Sequence, residues 1–285
     1  MDKMNTPINK LIGSVMRFYR RTPFQNSKNG SILAKLLSLF VRLRKQKVFI
    51  KQINGVNFEI DLEQIIDSSL YFSGTFESLE ESIIETLLMP GMVAMDIGAN
   101  FGYHTFRMAR RVQDSGMVYA FEPTEWAFEK LQRNASINAF NNIRYFKVGL
   151  GDMDNPKVRI CFQSSYRLDG TKVNAAEEIN VVKLDTFCKQ SGIQKVDFIK
   201  LDVDGYEGKV VRGAYETLRS SRPIVLMEIN PEILLGQGDD YIDLISILVA
   251  CNYTFKSNGR LPVPNLDDFC RSLPKGASVM ILAIP

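Results

Sequence analysis

The period of apolar positions changes several times along the chain. In residues 31–45, Ile32, Leu33, Leu36, Leu37 and Phe40 recur at helical spacing, while Lys35, Ser38, Arg42 and Lys45 fall on another face, which predicts an amphipathic helix. Two apolar-rich runs, 48–53 and 56–62, flank Asn54-Gly55, the strongest short-range hairpin signal. Residues 78–88 return to helical periodicity and are closed by Pro90-Gly91. Beyond this point strand and helix patterns alternate. Strands are expected at 92–96, 117–122, 143–148, 196–202, 223–228, 253–256 and 278–284. Helices are expected at 103–112, from a Thr124 cap to about 138, at 207–220 and at 241–250. Residues 158–162 and 179–184 read as a pair of strands inserted around a polar loop. Repeated β–α alternation with short connections predicts an α/β fold, a mainly parallel sheet with helices on both faces.

Charge divides the chain. Residues 1–51 carry twelve Lys or Arg against the single acid Asp2, whereas the remainder carries 23 basic and 31 acidic residues. A basic helical extension over 1–50 and a main domain over 51–285, opening with the hairpin, follow from that contrast. Residues 11–16 are too short for a signal-peptide core, and the run from Ser31 is broken by Lys35 and Arg42. A cytoplasmic protein is therefore expected, with the basic segment packed on the main domain or docked on an acidic membrane surface or partner. The cysteines Cys161, Cys188, Cys251 and Cys270 form no C-x-x-C, so reduced thiols are expected and no zinc site.

The chemistry concentrates at strand ends. The run 93–102 ends its apolar stretch in Asp96 and turns through Gly98, Ala99, Asn100 and Gly102; the next apolar run ends in Glu122. On parallel strands these acids lie side by side at the C-terminal sheet edge, where ligands bind in open α/β folds. A glycine corner lets backbone approach a ligand, and a carboxylate can accept hydrogen bonds from a ribose diol. The glycine spacing departs from the dinucleotide fingerprint, with Asn100 at its centre and no third glycine. A cofactor with one ribose and no phosphates fits better, and S-adenosylmethionine (SAM) is the leading candidate. Asp152, Asp202 and Glu228 extend the series of strand-end acids, although for Asp152 and Glu228 a helix-capping role is equally open.

A second cluster runs Lys200-Leu201-Asp202-Val203-Asp204-Gly205-Tyr206-Glu207. Strand alternation puts Lys200 and Asp202 on one face, where the ammonium can pair with a carboxylate or hold a substrate oxygen. The D-x-D of Asp202 and Asp204 lacks evident further ligands, so no metal is expected. His104, the sole histidine, falls just inside the helix after the glycine corner.

With these residues in view, the chain resembles the FkbM family of SAM-dependent methyltransferases. Gly74-Thr75-Phe76-Glu77, Asp96 through Thr105, Ala120-Phe121-Glu122-Pro123, Gly149-Leu150-Gly151-Asp152, Lys183-Leu184-Asp185, Lys200 through Glu207, and Arg222-Pro223 through Glu228 carry the resemblance in order. Asp204 stands where the family usually has glutamate, and His104 where an aromatic is common. The resemblance implies a Rossmann-like seven-stranded sheet with an antiparallel last strand, and methyl transfer to oxygen, often on a sugar or natural product. Under it the Gly98–Gly102 turn cradles the methionine part of SAM above Asp96, Glu122 binds the ribose and Asp152 approaches the adenine; Glu77 joins the cofactor-binding set. Asp202 is the first choice of base, with Glu228 and His104 behind it, and Lys200 orients the acceptor oxygen. The acceptor is expected to be a hydroxylated small molecule, glycan or glycolipid.

Three alternatives compete. A nucleic-acid methyltransferase is disfavoured, because Asp202-Val203-Asp204-Gly205 replaces the Asn/Asp-Pro-Pro-aromatic turn that grips a flipped base. A nicotinamide-dependent sugar oxidoreductase would need different glycine spacing. A non-catalytic interaction protein on a methyltransferase scaffold would not need the filled set of strand-end carboxylates.

Overall fold

A computed structural model describes residues 47–166, 172–259 and 261–285 of the chain. The helix expected at 31–45 lies outside them. The protein forms two compact units, one containing residues up to Ser78 with 136–138 and 161–176, the other containing the rest.

In the first unit β1 (Val48–Ile53) and β2 (Val56–Asp61) pair antiparallel, with Ile53 opposite Val56. Asn54 and Gly55 both take positive φ, 49° and 81°. That is the backbone a two-residue primed turn demands, and asparagine and glycine tolerate it best. A helix with no counterpart in the sequence reading follows, α1 (Ile65–Ser73). Asp67, Ser68 and Ser69 are buried in it, which is why no apolar stripe announces it. Their cost is met locally: Asp67 Oδ2 accepts from the Asp61 N–H at 2.7 Å, and the Ser68 hydroxyl donates to the Leu62 carbonyl at 2.6 Å.

The second unit opens with α2 (Ser78–Leu87) and holds the main sheet. Its strands in chain order are β3 (Val93–Ile97), β4 (Met117–Phe121), β5 (Ile143–Phe146), β9 (Phe198–Leu201), β10 (Ile224–Ile229), β11 (Thr254–Ser257), β12 (Leu261–Pro262) and β13 (Val279–Ile284). In space they run β12-β11-β13-β10-β9-β3-β4-β5. The five strands from β10 to β5 are parallel, and β13 inserts antiparallel between β10 and β11. This is the expected Rossmann-like sheet with one correction: among the described residues it has eight strands rather than seven, because the two-residue β12 adds to the outer edge of β11.

A separate three-stranded sheet, order β6-β8-β7, comprises β6 (Gly149–Leu150), β7 (Asn155–Tyr166) and β8 (Lys172–Val182). The expected inserted pair is thus present but longer. Helices α3 (Tyr103–Val112), α4 (Glu125–Ser136), α5 (Leu184–Gln190), α6 (Glu207–Gly213), α7 (Tyr215–Ser220), α8 (Pro231–Gly236), α9 (Tyr241–Ala250) and α10 (Leu266–Arg271) complete the described elements. Residues 207–220 form two helices, not the single one expected. The Asp185 carboxylate accepts from the backbone N–H groups of Glu216 and Thr217 at 2.9 and 2.8 Å, so α7 starts afresh on a cap supplied from α5. One core cluster, including Phe121, Leu201, Val211, Leu218, Met227, Leu244 and Ile281, joins sheet and helices. Cys188, Cys251 and Cys270 are buried free thiols.

Candidate active site

Parallel register places the ends of β3, β4 and β9 together: Ile97 lies opposite both Phe121 and Leu201, and Asp96 opposite Lys200. Chain leaving β3 bends sharply at Gly98, whose φ is +84°. A Cβ there would overlap the Asp202 carbonyl oxygen, so glycine is required twice over, by conformation and by space. The N–H groups of Gly98 and Ala99 both reach the Phe121 carbonyl, at 3.0 and 2.9 Å. Asn100 follows at φ 49°, the left-handed backbone that asparagine tolerates, and its N–H donates to Glu122 Oε2 at 2.9 Å. Gly102, φ +92°, starts α3 where a side chain would collide with Leu131 and Phe106.

Two carboxylates line this corner. Asp96 is 1% exposed; its Oδ2 accepts from the Thr105 hydroxyl at 2.6 Å, while its buried Oδ1 has no hydrogen-bond partner among the described residues. Glu122 is also buried, and desolvation raises its pKa, opposed by its hydrogen bonds from Thr124 and Asn100. Its Oε1 takes both the N–H and the hydroxyl of Thr124, at 2.9 and 2.6 Å. With Asn100 on Oε2, three of four acceptor positions are in use and one remains, on Oε2. The Thr124 hydroxyl, expected to cap α4, is thus donated to Glu122.

Facing the corner is the turn after β9. Lys200 is 3% exposed, and its ammonium lies 3.1 Å from Asp202 Oδ2, so the two side chains share a face as alternation requires. Asp204 adopts φ 50°. Although the residue is exposed, its pKa is raised, by desolvation first and then by Asp202. Asp204 in turn adds to the upward pressure on Glu122. His104 is 5% exposed, and its pKa is lowered to about 4, by burial first and then by the Lys200 charge. It is neutral at pH 7 and a poor proton acceptor.

The remaining expected residues are more dispersed. Glu228 is half-buried on β10, opposite Met280 of β13. Asp152 does not end a strand of the main sheet: it follows β6 and is bound by Arg212, Nε to Oδ2 at 3.0 Å. Arg212 also makes a bidentate pair with Asp239 at 2.9 and 3.1 Å. Glu77 belongs to the first unit, just before α2. Among the described residues no cluster of three or more His, Cys, Asp or Glu side chains is arranged to hold a metal ion. Thr105 and Glu207 stood in the sequence only as members of the Asp96–Thr105 and Lys200–Glu207 motifs, with no role of their own, and Arg212 was passed over.

Residues 96–255 match the methyltransferase FkbM domain. This protein belongs to the FkbM methyltransferase family. Two relatives are similar at lower resolution. Over 181 residues the FkbM chain is 25% identical to the 2-O-methyltransferase NoeI of Sinorhizobium fredii, covering 56% of this chain and 72% of that one. Over 158 residues it is 25% identical to the hexuronic acid methyltransferase AglP of Haloferax volcanii, covering 53% of this chain and 62% of AglP, just under two thirds. Solved structures that resemble it include methyltransferase FkbM from Methylobacillus flagellatus, at 14% identity and TM-score 0.43 over 76% of this chain and 52% of that one. TYW2 of M. jannaschii in complex with AdoMet aligns at 15% identity and TM-score 0.47, over 84% and 86%.

As a member of this family the chain is a SAM-dependent methyltransferase, and the nicotinamide alternative falls away. The corner's donor set fits that cofactor. The buried Oδ1 of Asp96, without a hydrogen-bond partner among the described residues, suits an ammonium, and Glu122 Oε2 retains one place for a hydroxyl.

Proposed function

We propose that this enzyme methylates a hydroxyl group of a sugar or glycan, with Asp202 as general base. The observation that carries this reading is the Lys200–Asp202 pair at the end of β9, whose backbone abuts Gly98 of the cofactor corner. When bound, SAM supplies a methyl group already activated on a sulfonium. The residues have two remaining tasks, alignment of the acceptor oxygen and removal of its proton. The Asp202 side chain is 28% exposed and can reach an acceptor, whereas Lys200, at 4%, holds the carboxylate from behind and sets its direction. Glu228 stands behind Asp202 as a base, whereas His104, also expected in that role, is set aside because its burial makes it a poor proton acceptor. Asp96, the turn Gly98, Ala99, Asn100 and Gly102, and Glu122 form the cofactor side, and we add Asp152 to it, steered by Arg212. The names of NoeI and AglP support a sugar hydroxyl or uronic acid as acceptor.

A screen of sugars, uronic acids, nucleotide sugars and glycolipids with labelled SAM tests the acceptor class. On the acceptor it finds, Asp202→Asn is expected to lower methyl transfer about 10²–10⁴-fold with binding of S-adenosylhomocysteine (SAH) intact. Full turnover by Asp202→Asn would remove Asp202 from the base role.

A glycolipid acceptor would give the twelve basic residues before position 52 a purpose, holding the enzyme against anionic lipid. Among the described residues no helix is long and apolar enough to cross a membrane; the contact proposed for the basic segment is peripheral, since its apolar run from Ser31 is broken by Lys35 and Arg42. Binding to anionic vesicles should weaken with salt and vanish on deletion of residues 1–45. Salt-independent binding, or none, would contradict this contact.

A further inference from the structure

We infer that Glu207 is a positioning residue: its carboxylate closes the Asp202–Gly205 turn and so holds the wall against which the cofactor corner is built. The inference rests on the reading of that corner as the SAM site. Glu207 is the first residue of α6 and is 3% exposed. A single oxygen, Oε1, accepts from the N–H of Val203 at 3.0 Å and the N–H of Gly205 at 3.3 Å. The turn needs such a clamp, because Asp204 and Gly205 both have positive φ, 50° and 96°, and Asp204 has no glycine's freedom there. What the clamp holds is functional on both sides. At the start of the turn, the Asp202 carbonyl and the Val203 side chain crowd the position where any Cβ on Gly98 would lie. Along the turn, the Asp204 charge is felt by Glu122. A turn that slackened would let the Gly98 corner relax toward it and would move Asp202 away from Lys200.

Ionisation should tune the grip. Hydrogen bonds from backbone N–H groups to a carboxylate are roughly twice as strong as to its neutral form. The Glu207 pKa is pushed up to about 7, by burial first, against the pull of its backbone hydrogen bonds and with a further push from Asp202. The charged groups around it are Asp202 and Asp204 on the turn, Lys200 on β9, Lys209 on its own helix, and Asp239, packed on Gly208 from the loop before α9. Of these Asp202 adds to the upward push on its titration.

SAH binding by calorimetry, across pH 6 to about 8.5 on the full chain, reads this without knowledge of the acceptor. Wild-type affinity is expected to rise several-fold through pH 7. Glu207→Gln keeps the accepting oxygen but not the charge, and should bind at the low-pH wild-type level with that rise removed. Glu207→Ala removes the acceptor and should bind about tenfold or more weakly at every pH. A residue that served stability alone would shift the melting temperature and leave the pH dependence of SAH affinity in place. Unchanged affinity in folded Glu207→Ala, or an inflection at pH 7 that persists in Glu207→Gln, overturns the inference and leaves the cofactor corner standing. Folded wild type that binds no SAH at any pH overturns the corner and this inference together.

Discussion

Burial acts on His104 and Glu207 in opposite directions because it disfavours the charged form of each. His104 falls from 6.5 to about 4, so between those values the unfolded chain binds more protons than the native one. Its contribution to stability is full above pH 6.5 and is lost as pH falls toward 4, about 3 kcal/mol at most. Glu207 rises from 4.5 to about 7, so its contribution is full below 4.5 and is lost as pH rises through 7. The two oppose each other between pH 4.5 and 6.5. Denaturant unfolding of His104→Phe should therefore show a shallower fall in stability on acidification than wild type; a parallel pH curve would mean the imidazole is not held neutral. At this scale the strand-end acids Asp96 and Glu122 were legible, since each closes an apolar run. Glu207 and Arg212 were not, because a carboxylate clamping a turn and an arginine bridging Asp152 to Asp239 are defined by partners that the local pattern does not mark.

Elements whose signals are local emerged with nearly their expected bounds. Asn54-Gly55 set the β1–β2 register, and α3 and α9 follow their apolar spacing end to end. α1 escaped notice because Asp67, Ser68 and Ser69 are buried in it beside Leu70, Tyr71 and Phe72, and the break between α6 and α7 because the cap is Asp185, about thirty residues earlier in the chain. That cap explains the Lys183-Leu184-Asp185 motif in structural terms. The Thr217 hydroxyl adds a third hydrogen bond to the Asp185 carboxylate at 2.7 Å. Asp185→Ala should cost about 1–2 kcal/mol in unfolding free energy, and SAH affinity should be unchanged. A loss of SAH binding in folded Asp185→Ala would show that α7 bears on the site more directly than its cap implies.

For the molecule as a whole, β–α alternation was enough to anticipate a mainly parallel sheet, and with it the edge at which Asp96, Glu122 and Asp202 converge. The eighth strand was not legible: β12 has two residues, one of them proline, and exists only because β11 offers an edge. Nor was the place of Asp152, which needed the small β6-β8-β7 sheet to be seen. The family match reaches from Asp96, near the end of β3, into β11 and so contains the glycine turn, Glu122 and the turn after β9. The central claim is that this corner, with Glu122 beside it, is where the adenosyl cofactor binds. Calorimetric titration of SAH into wild type and Glu122→Ala tests it most directly. Saturable binding by wild type and a loss of about tenfold or more in folded Glu122→Ala, some 1.4 kcal/mol, is the predicted result. No heat with folded wild type, or equal affinity in the two proteins, would contradict it.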